Sequence, residues 1–186
     1  LEKLHILYEE KHRLVLENYE KENKPTLTDE QQKVINEFLS SDDLVYLLQG
    51  VTGSGKSEVY LSLSEEILKK GKSVLMLVPE ISLTPMMCKY FIKRFNKDVA
   101  LLHSELTPAE KYDEYRKITN GESKIVIGTR SAIFVPFTNL GVIIIDEEHT
   151  SSYKQENHPK YNAKDIAIWR SEYHKCPVLM GSATPS

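Results

Sequence analysis

The stretch LVYLLQGVTGSGKS, residues 44–57, decides the fold. Leu44–Gln49 is apolar nearly throughout, as a strand covered on both faces must be. Gly50, Val51, Thr52, Gly53, Ser54, Gly55, Lys56 and Ser57 then satisfy the pattern G-x-x-x-x-G-K-[ST]. Glycines at these points let the backbone curl until successive N–H groups face phosphate oxygens, and a helix opening directly behind them adds unpaired amides and a positive dipole end. Lys56 is placed to neutralise the β- and γ-phosphates, and Ser57 to ligate a divalent cation. A Gly/Ser turn can match such a pattern by accident, but here the context agrees. Lys56–Lys70 spaces Val59, Leu63 and Ile67 four residues apart and meets Gly71 as a stop, which predicts a helix immediately after the loop.

Five further runs of the same kind follow at Ser73–Pro79, Val99–His103, Lys124–Gly128, Val142–Asp146 and Val178–Gly181. Helical patterns alternate with them. Thr107, Pro108 and Glu110 combine a capping box with proline at the first helical position, and Asn120-Gly121 ends that segment. Alternating strands and helices predict an α/β domain with a mainly parallel sheet sandwiched by helices. Residues 1–26 stand apart. They are rich in Glu, Lys and His, with Leu4, Leu7, Leu14 and Val15 loosely on one helical face before Lys24-Pro25, and read as a charged linker or the tail of a preceding DNA-binding domain. The nucleotide-binding domain is expected over residues 27–186.

Composition narrows the class without naming it. The chain has 186 residues, 40% hydrophobic and 27% charged, enough for one domain with a sizeable core. Its formal net charge of −3 excludes an overall basic footprint, so any contact with nucleic acid must be local. Cys88 and Cys176 lie far apart and support neither a disulfide framework nor a zinc site; two buried thiols in a reducing cytoplasm are expected. No run of about 18 apolar residues occurs and no signal-peptide layout opens the chain, so no membrane partner is expected. The chain opens on Leu1 rather than Met, which suggests a longer parent.

The second chemical landmark is Asp146-Glu147-Glu148-His149, delivered by the buried run Gly141–Ile145 to the carboxyl end of the sheet, where open α/β folds bind ligands. Acidic residues at a strand end are often only solvated. Paired with the phosphate loop, they complete a nucleotide-and-metal constellation for ATP and Mg²⁺: Asp146 as metal partner, and Glu147 to orient or deprotonate an attacking water. His149, just beyond them, is placed to sense the γ-phosphate, although an isolated histidine is more often structural.

DEEH together with Gly181-Ser182-Ala183-Thr184-Pro185 resembles motifs II and III of superfamily 2 helicases. The match becomes closer at Leu77–Thr84 (LVPEISLT), Gly128–Ala132 (GTRSA) and Asp146–Gln155 (DEEHTSSYKQ), which look like the bacterial primosomal replication-restart helicases of the PriA family. The resemblance spans Leu27 to Ser186 and implies the first of two RecA-like motor lobes. It implies a DNA-stimulated ATPase and 3′-to-5′ helicase, with single-stranded or forked DNA, replication-restart and single-strand-binding proteins, and a second RecA-like lobe carrying arginine fingers as partners. It also implies a winged-helix domain and a zinc module elsewhere in the parent, with no zinc in this part. The isolated lobe is then expected to be monomeric and to bind nucleotide and DNA with negligible turnover. A small-molecule P-loop kinase would share Lys56 and Asp146 but leave DEEH and GSATP unexplained.

Residue roles follow from the resemblance position by position. Pro79, Glu80, Thr84, Thr129, Arg130 and Ser131 inherit a place along the single-stranded DNA track, where hydroxyls, backbone amides and one arginine suit phosphate contacts. Ser182 and Thr184 inherit a part in passing nucleotide state onward. The segment after DEEH is similar to an aromatic-rich loop that couples DNA binding to hydrolysis, in which Tyr153, Lys154, His158 and Tyr161 mix aromatic faces with positive charge as stacking on unpaired bases requires. Lys160, Asn162 and Lys164 depart from the Arg, His and Arg expected there, keeping charge at two positions but not the planar fork. Trp169 is expected to pack on the core from the following helix. Thr28-Asp29-Glu30-Gln31 is both a capping box and a likeness of the Q motif, so Gln31 is a candidate to read adenine as well as to cap.

Overall fold

Strands that are apolar on both faces need cover on both faces, and the computed structural model supplies it for all but the edge strand Val45–Gln49. There, against expectation, Leu44, Val45 and Leu47 stay 41%, 47% and 54% exposed, because among the described residues no element covers that face. The structure describes residues 25–51, 53–79, 85–104 and 106–183. Thus most of the expected N-terminal extension lies outside the described residues, as do Thr52, Glu80, Thr84 and Thr184 of the candidate site. In chain order the main elements are α1 (Asp29–Ser40), β1 (Val45–Gln49), α2 (Lys56–Lys69), β2 (Ser73–Leu77), α3 (Pro85–Phe95), β3 (Val99–Leu102), α4 (Pro108–Thr119), β4 (Ile125–Gly128), β5 (Leu140–Ile145), β6 (Lys154–Gln155), β7 (Tyr161–Asn162), α5 (Ala163–His174) and β8 (Val178–Ser182).

Six strands form one parallel sheet in the order β1-β8-β5-β2-β4-β3. Side chains alternate across it with the period of a strand. Val74, Met76, Val142, Ile144 and Leu179 face one apolar layer, closed by Ile35 and Phe38 of α1, Val59, Leu63 and Ile67 of α2, and Phe91 and Phe95 of α3. Leu75, Leu77, Ile143, Ile145 and Val178 face the other, closed by Ile118 of α4, the segment from Ala132 to Phe137, and Ala163 and Ala167 of α5. This is the RecA-like α/β architecture. The predicted strands and the two capped helices appear where the patterns place them, and the capping boxes at Thr28–Gln31 and Thr107–Glu110 are both closed. Cys88 and Cys176 are free and buried, and burial pushes both thiols up to about 11. Among the described residues no helix is long and apolar enough to cross a membrane.

Two expectations need correction. Trp169 does not pack on the core: it is 62% exposed, stacked on Tyr173 with ring centroids 5.6 Å apart. The reason is helical phase. α5 buries Ala163, Ala167, Arg170 and Ser171, and position 169 points away from that face. The Lys154–Tyr161 segment is also more than a loop, since β6 and β7 pair antiparallel.

Because every strand of the main sheet runs the same way, Gly50, Val78, Thr129, Asp146 and Ala183 all follow strand ends on one edge. Two packing features hold that edge. Arg94 forks onto Glu58 at 2.6 and 3.1 Å, locking α3 to α2 in a partly buried bidentate pair. Gly128 ends β4 in close contact, where an added Cβ would meet the Ala132 Cβ at 2.5 Å and the Leu102 carbonyl at 2.7 Å. Backbone cannot step aside as a side-chain tip can, so Gly128→Ala should lower unfolding free energy by about 1–3 kcal/mol. Denaturant unfolding checks this, and a variant as stable as wild type would show that the β3–β4 contact is slack.

Candidate nucleotide and metal site

The phosphate loop is a backbone device. Gly53 and Gly55 both lie at φ +83°, a left-handed conformation that strains other residues, and Gly55 is the N-cap of α2. The loop is fastened to β8 at its start and closed by an internal turn. The Gly50 N–H donates to the Ser182 carbonyl at 3.0 Å, and the Ser54 N–H to the Val51 carbonyl at 3.1 Å. Lys56 turns its ammonium inward, donating to the carbonyls of Gly50 and Val51. Gln31 reaches this loop from α1. Its Oε1 accepts from the Thr28 N–H at 3.0 Å and its Nε2 donates to the Gly55 carbonyl at 3.3 Å, so the amide both caps α1 and braces the glycine.

Across the edge, β5 delivers Asp146 into a nearly dry position, 9% exposed. Its carboxylate accepts a hydrogen bond from the Tyr60 hydroxyl of α2 at 3.0 Å. Desolvation raises the Asp146 pKa above the ordinary carboxylate value, opposed by the Tyr60 hydrogen bond, the Glu147 backbone N–H, and the charges of Lys56 and His149. The same buried environment, with Asp146 beside it, raises Tyr60 far above the usual phenol range. Glu147 adopts a left-handed φ of +47°, a conformation that turns the chain sharply and is held in place by its surroundings.

That turn is tied to β8. The Glu148 N–H donates to the Gly181 carbonyl at 2.9 Å, and His149 Nδ1 lies 3.1 Å from Ser182 Oγ. Ser182 therefore touches the phosphate loop through its carbonyl and the acidic turn through its hydroxyl. Thr184 lies outside the described residues. Glu148, buried within the turn, pairs with Lys164 of α5 at 3.1 Å. Asn162 caps that helix, accepting from the Lys164 N–H at 3.0 Å. The departures at Asn162 and Lys164 thus have local roles, and an asparagine directly before a helix was a legible sign of the first.

The candidate DNA residues divide. Ser131 and Lys154 are exposed, the latter 3.0 Å from Glu156, while Arg130 and Tyr161 are half-buried. Arg130 donates to the Ser152 and Lys154 carbonyls at 3.4 and 3.0 Å, joining the loop after β4 to the segment after the acidic turn. Tyr161 and Phe134 meet in a T-shaped contact with centroids 5.0 Å apart. Pro79 and Thr129 are buried, and Glu80 and Thr84 lie outside the described residues. Tyr153 is corrected as a stacking partner: it is 1% exposed, and its hydroxyl donates to the Leu77 carbonyl at 3.1 Å and to the Asp146 carbonyl. It joins the end of β2 to the acidic turn from inside.

Comparison with known proteins places this geometry in a class. Residues 28–186 match the DEAD/DEAH box helicase family, and the chain belongs to it. Membership implies ATP and a divalent metal. The resemblance read in the sequence is borne out more narrowly: the chain is 59% identical over 164 residues to the replication restart protein PriA of Bacillus subtilis (strain 168), covering 86% of this chain and 20% of that protein. It is 51% identical over 166 residues to that of Haemophilus influenzae, covering 89% of this chain and 23% of the relative. The chain therefore spans about a fifth of these relatives' length. The same fold occurs in the UvsW helicase from bacteriophage T4, with a TM-score of 0.63, 17% identity, and coverage of 94% of this chain and 60% of that one. It also occurs in the Hef helicase domain of Pyrococcus furiosus, with a TM-score of 0.61, 20% identity, and coverage of 84% and 32%.

The residues present fit the nucleotide and metal that the family implies. Two left-handed glycines hold an amide-lined turn at the start of α2, and a buried carboxylate with one oxygen already bonded stands near the Lys56 charge. The raised Asp146 pKa has a sign that can be checked. As pH rises through the carboxylate range the unfolded chain releases this proton first, so ionisation of Asp146 costs stability above that range. Asp146→Asn keeps the shape and an acceptor for Tyr60. Without nucleotide it should melt above wild type at neutral pH, the gain shrinking as pH falls through the carboxylate range. A variant melting lower at neutral pH would contradict the desolvation account.

Proposed function

We propose that this chain is the ATP-binding lobe of a DNA-dependent ATPase and 3′-to-5′ DNA helicase acting in replication restart. One observation carries the reading: Ser182 bonds the phosphate loop at Gly50 and the acidic turn at His149 at once. A change at the phosphates therefore has a short hydrogen-bonded path to the acidic turn. The amides of Gly53, Ser54 and Gly55, with Lys56, hold the phosphates; Thr52 completes the loop by sequence. Ser57 and Asp146 would hold Mg²⁺, which would supply charge neutralisation of the phosphates when bound. Glu147 orients or deprotonates the attacking water, His149 and Ser182 relay the γ-phosphate state with Thr184, and Gln31 reads adenine by exchanging its bond to Gly55.

The DNA track runs past Glu80, Thr84, Arg130, Ser131, Lys154 and Tyr161, while the buried Pro79 and Thr129 shape the backbone beside it and Arg130 also holds the loop geometry between track and site. Polarity, the replication-restart role, the partner single-strand-binding proteins and a cytoplasmic location rest on the likeness to PriA. Residues 27–186 form the lobe. A second lobe supplies arginine fingers, which in related enzymes are worth about 10³–10⁵ in rate, so the lobe alone binds nucleotide but turns over little.

The ATPase of the full-length parent should rise with single-stranded or forked DNA and vanish in Lys56→Ala. Turnover indifferent to DNA would overturn the coupling. The 186-residue chain alone should bind ADP with negligible hydrolysis of ATP, and robust turnover by the monomer would overturn the need for a second lobe.

A further inference from the structure

Two of the groups proposed to hold the metal come from different elements, Ser57 from the first turn of α2 and Asp146 from the end of β5. Nothing in a P-loop by itself fixes the distance between them. Tyr60 does. It stands three residues beyond Ser57 on the same helix, so the two side chains share neighbouring positions on one face. Its ring is fully buried, and its hydroxyl donates to Asp146 Oδ1 at 3.0 Å across 86 residues of sequence. The hydroxyl reaches that oxygen only because position 181 has no side chain: a Cβ on Gly181 would lie 1.7 Å from the Tyr60 oxygen and 3.4 Å from Asp146 Oδ1. The glycine of the GSATP segment thus leaves a slot through which a residue of the phosphate-loop helix grips the acidic motif.

We propose that Tyr60 is a positioning residue for the divalent metal: it ties Asp146 to the helix bearing Ser57, occupies Oδ1, and leaves the other carboxylate oxygen oriented for the cation. Gly181 serves the same tie by leaving room for it. The proposal rests on the reading of Ser57 and Asp146 as the metal's protein ligands. Outer partners of a metal-binding carboxylate act by fixing its orientation, and their loss commonly weakens metal affinity by about 10–100-fold. Tyr60→Phe removes the hydroxyl and keeps the ring, so it separates the tie from the packing.

The test is binding of fluorescent ADP to the chain, titrated with Mg²⁺ and repeated in EDTA, for wild type, Asp146→Asn, Tyr60→Phe and Gly181→Ala. Wild type should bind ADP more tightly with Mg²⁺, and Asp146→Asn should lose that enhancement; an Asp146→Asn variant that keeps it refutes the metal-site reading itself. With that reading intact, Tyr60→Phe should bind metal-free ADP as wild type does while needing about 10–100-fold more Mg²⁺ for the enhancement. Gly181→Ala should show the same defect, and the double variant no more than either single one. A Tyr60→Phe variant with the wild-type Mg²⁺ requirement overturns the proposal. So does one that loses metal-free and metal-assisted binding equally, because that would assign Tyr60 to packing alone.

Discussion

A carboxylate at the end of a fully buried strand is an expensive thing to place, and Asp146 is the constraint around which this edge of the sheet is arranged. β5 is buried along its whole length, so its last turn carries the acid into a dry corner. A hydrogen bond to a charged group contributes about 1.5–3 kcal/mol, and Asp146 takes one from Tyr60 without being fully compensated, since its pKa remains raised. An acid held in that state is ready for a cation. The surrounding choices follow from it: an aromatic hydroxyl on the phosphate-loop helix, and a glycine at position 181 that lets it through.

The same corner reaches outward by several routes. Ser182 connects it to the phosphate loop and to His149. Tyr153 connects the Asp146 backbone to the end of β2, Lys164 connects Glu148 to α5, and Arg130 connects the loop after β4 to the chain leaving the acidic turn. In the proposed reading these bonds are how DNA along the track and nucleotide in the loop feel each other. Arg130 holds the Ser152 and Lys154 carbonyls through one guanidinium nitrogen.

What was legible in the sequence was whatever is local. The G-x-x-x-x-G-K-S loop, the apolar runs and the capping boxes are each written within a few neighbouring residues, and the structure forms each of them, although β1 at the sheet's edge leaves Leu44, Val45 and Leu47 exposed where its apolar run suggested cover on both faces. What was not legible is whatever spans the fold. Tyr60 meets Asp146 only because α2 packs beside β5, and no spacing announces it. Tyr153 reads as an aromatic in an aromatic-rich loop, and its inward turn depends on carbonyls at Leu77 and Asp146. Trp169 failed for a related reason: a large ring suggests burial, but the phase of α5, set by Ala163 and Ala167 against the sheet, decides its direction. The hairpin of β6 and β7 is two residues a side, too short to show a period.

The most direct test of this account is a crystal structure of the chain with Mg²⁺ and a nonhydrolysable ATP analogue. The metal should lie between Ser57 and the second carboxylate oxygen of Asp146, with Lys56 released from the Gly50 and Val51 carbonyls onto the phosphates and the Tyr60 hydroxyl still on Oδ1. A metal held without Asp146, or a Tyr60 hydroxyl that leaves the carboxylate when the metal arrives, would contradict it.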